Sequence, residues 1–118
     1  MKQSEALRVA LMLERQKLAA KLRATRAILN LSQMELASRI GLTQKSIHRL
    51  EQAQVEAKRV TIRMLEQFWH TSGIIFDERA DGGFTIVVTT AVLCGESEAH
   101  PVSPKLDRFP AFPMRVPS

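Results

Sequence analysis

A single cysteine, Cys94, stands among 118 residues, so no internal disulfide and no cysteine-based zinc site can form. The three histidines, His48, His70 and His100, are scattered without the carboxylate or cysteine spacing of a metal site, and neither a metal nor another cofactor is expected. Gly-rich phosphate loops, nucleophile elbows and paired catalytic carboxylates are missing, so the sequence does not read as an enzyme. No apolar run approaches the ~20 residues that a membrane span requires, and the first residues lack the unbroken apolar core of a secretion signal. The expectation is a soluble protein of a reducing compartment, the cytoplasm, with no membrane partner. Proline is absent before His100, and all five prolines (Pro101, Pro104, Pro110, Pro113 and Pro117) follow it. Residues 95–118 therefore read as a disordered, Pro-rich tail, in which Phe109, Phe112 and Met114 form either a short docking motif or nothing functional.

What is present begins with charge. Seventeen Lys and Arg against twelve Asp and Glu give a net +5, unevenly distributed. Residues 1–72 hold 13 basic and 6 acidic side chains, and residues 73–118 hold 4 and 6. The positive half suits a polyanionic partner.

Helical signals fill that half. Residues 4–29 contain neither Gly nor Pro, and Leu7, Leu11, Leu18, Leu22 and Leu29 recur at helical spacing, in one long helix or two shorter ones. Ser32 and Glu35 have the spacing of a capping box, Met34, Leu36, Ala37 and Ile40 supply an apolar stripe, and Gly41 sits where a helix end needs positive φ. Thr43 offers a second N-cap after only two residues, so another helix opens at Gln44 with Ile47 and Leu50 inward. Thr61 is the expected cap of a fourth helix carrying Ile62, Leu65, Phe68 and Trp69 and stopping at Ser72 and Gly73. Beyond it, Ile74–Phe76, the turn-rich stretch 77–83 and the β-branched run Phe84–Leu93 predict a hairpin or one added strand. An exposed strand edge can pair with a second copy, or the strand can pack on the chain's own helices.

From about Leu18 to Phe76 the chain resembles the phage-repressor-like (XRE, Cro/C1 type) helix-turn-helix DNA-binding family. Arg26, the LSQ of Leu31–Gln33, ELA, GLT, and the LE of Leu50–Glu51 fall in register together. The resemblance implies a mainly α, lambda-repressor-like bundle of four to five helices with double-stranded DNA as partner. Residues 1–17 would be an N-terminal helical extension, 18–73 the DNA-binding domain, 74–94 a strand or hairpin extension and 95–118 the tail. The extension is either a solvated lead-in or a helix for dimerisation or partner binding.

In the family register Gln44, Lys45 and Arg49 face bases, Gln33 anchors a phosphate and Arg26 pairs with Glu51. His48 is a further outward position, Thr43 contacts DNA or only caps its helix, and Lys58 and Arg59 are loop cations for phosphate. The family's Asn-Gly after this helix is replaced by Gln52 and Ala53, so the helix is expected to run on to Ala53. Three functions follow: a homodimeric, sequence-specific transcriptional regulator; an antitoxin that autoregulates its operon and binds a toxin; and a protein-interaction adaptor without DNA binding.

Overall fold

The computed structural model describes residues 2–94, with side chains from residue 4 onward; the expected tail and its Phe109, Phe112 and Met114 lie outside that range. One uninterrupted helix, α1, spans Lys2–Leu29. It is followed by α2 (Gln33–Ile40), α3 (Gln44–Glu51), α4 (Arg59–Ser72), the antiparallel pair β1 (Ile74–Glu78) and β2 (Phe84–Val88), and α5 (Thr90–Cys94). The fold is mainly helical, with a two-stranded hairpin near the end of the described chain.

The core gathers Leu22 of α1, Leu36 and Ala37 of α2, Ile47 and Leu50 of α3, Leu65 and Trp69 of α4, and Ile74 of β1. Each large apolar side chain buried there contributes roughly 1.5–3 kcal/mol. Trp69 places a polar atom in this core and satisfies it: its indole N–H donates to Thr25 Oγ1 at 2.8 Å, and the Thr25 hydroxyl donates to the Lys21 carbonyl at 2.7 Å. Met34 is the exception to the stripe expected of α2. It is 63% exposed, because it precedes Leu36 and Ala37 in the first turn and points to the flank while they turn inward.

The hairpin lies on its own helices. Phe76 stacks edge-on against Trp69 and against Phe84, with ring centroids 4.8 and 5.6 Å apart. Glu78 accepts bonds from Lys17 and, at 3.0 Å, from Lys21, whose ammonium also lies over the Phe76 and Phe84 rings. Gly82, at φ +93°, makes the turn.

The expected strand from Phe84 to Leu93 is cut short at Val88. Thr89 bonds the Gly73 carbonyl through both its N–H, at 3.1 Å, and its hydroxyl, at 2.7 Å. Its own carbonyl then accepts from Val92 and Leu93, so the β-branched run bends into α5.

Helix α4 begins at Arg59, two residues before Thr61. Lys58 occupies its N-cap position without a side-chain cap bond, which places Thr61 inside the first turn and corrects its reading as the cap. Gly73 ends the helix at φ +88°.

Candidate nucleic-acid interface

Two short capped helices hold the site. The Ser32 hydroxyl accepts from the Glu35 N–H at 3.0 Å, and Glu35 accepts from the Ser32 N–H at 2.8 Å. The Ser32 N–H first, and the Ser32 hydroxyl second, hold the Glu35 carboxyl below its ordinary range. Gly41, at φ 100°, closes α2; Met64 is packed so near that an added Cβ would meet its methyl carbon at 3.3 Å. The chain restarts at once: the Thr43 hydroxyl accepts from the Ser46 N–H at 3.1 Å and donates to Ser46 Oγ at 2.9 Å. The tight connection between α2 and α3 comes from these two caps.

Helix α3 has two unlike faces. Ile47, Leu50 and Glu51 are buried, whereas Gln44, Lys45, His48 and Arg49 are all exposed. Four polar or cationic side chains therefore occupy the open side of a helix whose other side is fixed in the core.

Glu51, the last residue of α3, is the anchor. Its carboxylate, 2% exposed, accepts from Arg26 Nε at 2.7 Å and Nη2 at 3.0 Å, and from Gln33 Nε2 at 3.0 Å. Arg26 also donates to the Leu31 carbonyl at 3.3 Å, and its pKa is raised chiefly by its hydrogen bonds to Glu51. Arg23 donates to the Glu51 backbone carbonyl at 2.8 Å, neutralising the carbonyl end of α3. Sequence reasoning missed Arg23; its signal was its place one turn before Arg26 on the same helix.

The helix stops at Glu51 and does not run on to Ala53 as expected. Ala53 itself adopts the left-handed conformation at φ 57°, its N–H donating to the Leu50 carbonyl and the Gln54 N–H to Arg49. That is the glycine-type helix ending made by a residue with a Cβ, and the bonds closing the carbonyl end offset its strain.

The remaining candidates are placed unevenly. Arg49 and Lys58 line one groove of about 290 Å³ between α3 and the start of α4, together with Ser46 and Thr61, which sequence reasoning had left out of the site. Arg59, exposed in the first turn of α4, does not line it. Gln33 is half-buried, with an amide N–H given to Glu51, and the Thr43 hydroxyl is committed to its cap. Among the described residues no group of three or more His, Cys, Asp or Glu could hold a metal, and no helix is long and apolar enough to cross a membrane.

Residues 17–73 match a family model described as a helix-turn-helix domain. No curated protein and no solved structure matches the chain.

Proposed function

Given that residues 17–73 are a helix-turn-helix domain, we propose that this protein is a sequence-specific DNA-binding transcriptional regulator that sets α3 in the major groove and acts as a dimer on two half-sites. The observation that carries this reading is the exposed row Gln44, Lys45, His48 and Arg49 on a helix whose far end is pinned by Arg26 and Glu51. Gln44 has the amide pair that matches adenine, and Lys45 and Arg49 suit the O6 and N7 of guanine. Lys58 and Arg59, flanking the groove and the start of α4, would hold backbone phosphates, as would the half-buried Gln33 at the start of α2. In this reading the protein is not an enzyme and works in the cytoplasm on the nucleoid.

The test is selection of binding sites from random DNA by the purified chain, repeated with Gln44→Ala and Arg49→Ala. Each variant should relax preference at one or two base positions, at a cost of ~1–3 kcal/mol. Affinity for the selected site should fall steeply with salt. If no sequence is enriched, or if Arg49→Ala leaves the preferred sequence untouched, the reading fails and the adaptor function takes its place.

A further inference from the structure

The stripe of α1 that packs into the core does not end where the core ends. Leu22 and Thr25 are fully buried and Leu18 is partly buried, yet the same face continues N-terminally through Leu11 and Leu7 with nothing of the described chain on it. Every residue from Ser4 to Glu14 is exposed, Leu7 by 61% and Leu11 by 37%. Beyond that face Val9, Met12 and Leu13 are also 65%, 56% and 48% exposed, while Ser4, Glu5 and Arg8 share one polar strip. An exposed apolar patch of this breadth on a single chain marks a contact surface.

Charge narrows what can cover the arm. Residues 4–14 carry Glu5, Arg8 and Glu14, whereas residues 15–72 carry eleven basic and four acidic side chains. The cations that would draw nucleic acid lie elsewhere, and the arm bears no charge of one sign that would make it repel its own copy. From this small and mixed charge and from the continuity of the stripe we infer that the arm Ser4–Glu14 is a dimerisation element whose occupant is the same arm of a second copy. The pairing is a closed two-fold contact that extends the core seam of each domain into the other chain. The arm is only about three turns long, a small contact for a specific dimer, so the pairing is weak and is reinforced on DNA. This identifies the contact behind the dimer proposed above and rests on that reading only for its role on DNA.

Sedimentation equilibrium of the full chain without DNA should show a concentration-dependent monomer–dimer equilibrium. The double variant Leu7→Glu, Leu11→Glu should weaken it by about tenfold or more, while Leu7→Met, Leu11→Met should retain it. Because these side chains lie outside the packed core, the thermal melting of all three proteins should agree at low concentration, which separates lost pairing from lost folding. On DNA, the Glu variant should bind a fragment carrying one half-site as the unmodified chain does, and lose affinity only for a fragment carrying two. A chain that is monomeric throughout the micromolar range, or a Glu variant that dimerises unchanged, overturns the proposal. If the unmodified chain dimerises through the arm but binds no DNA fragment, the regulator reading fails and the arm stands.

Discussion

Glu51 and Arg26 meet in a two-pronged contact of 2.7 and 3.0 Å, with the carboxylate almost wholly buried and the guanidinium 27% exposed. The asymmetry sets the expected mutant energies. Arg26→Ala strands a buried carboxylate and should cost about 3 kcal/mol, whereas Glu51→Ala leaves a cation that still reaches water and should cost less. The double variant should fall well short of the sum in chemical denaturation. Small additive losses would mean the two side chains are not coupled.

Ala53 holds a left-handed φ of 57° at the end of α3. Ala53→Gly removes the Cβ strain and should stabilise the protein by about 0.5–1 kcal/mol, read as a higher melting temperature. An unchanged or lower value would show that the strain is already relieved locally.

Trp69 and Thr25 form the polar contact inside the core. Thr25→Val strands the indole N–H and should cost ~1–3 kcal/mol. Adding Trp69→Phe to that variant should cost less than Trp69→Phe does in the unmodified protein, since the orphaned donor leaves with the indole. Equal costs in both backgrounds would rule out the bond as a contributor.

The Glu78 carboxyl is held below its ordinary range by its bonds from Lys17 first and Lys21 second, and the same contact raises Lys17. With a folded pKa below the unfolded one, Glu78 contributes stability that is complete above the ordinary carboxylate value, ~4.3, and is lost as pH falls through the folded value. Lys17 has the opposite sign: its contribution is complete below ~10.4 and is lost as pH rises past its folded value. Fluorescence of Trp69, the one tryptophan, against which Phe76 of the hairpin packs, should report loosening at the acid end. Glu78→Gln should flatten that limb. Glu78 is exposed, so added salt should shrink the difference.

The parts of the fold that local chemistry dictates were legible in the sequence. The Ser32–Glu35 box, Gly41, Thr43 and Gly73 each stop or start a helix with groups a few residues apart, and the structure has all four where the sequence puts them. Less legible were features decided by distant partners. Thr89 leaves the strand because Gly73, sixteen residues earlier, offers it a carbonyl. Gln33 turns to Glu51 across the fold, and Ala53 takes a glycine's conformation because the carbonyls of Leu50 and Arg49 must be satisfied there. Periodicity also marks an apolar face without saying how far along a helix its cover extends, so Leu7 and Leu22 read alike in the sequence and differ wholly in exposure.

Helix α1 is continuous from Lys2 to Leu29, and its Arg26 grips the end of α3. In the proposed dimer the pairing arm and the recognition helix are therefore joined by a rigid rod, and the distance between half-sites becomes a matter of helical phase. One residue inserted between Glu14 and Leu18 would swing the arm by about 100° and lengthen the rod by ~1.5 Å, setting the two α3 helices out of step on the duplex. Seven residues would restore the phase to within about 20° and move the arm ~10 Å outward, demanding an operator with wider spacing.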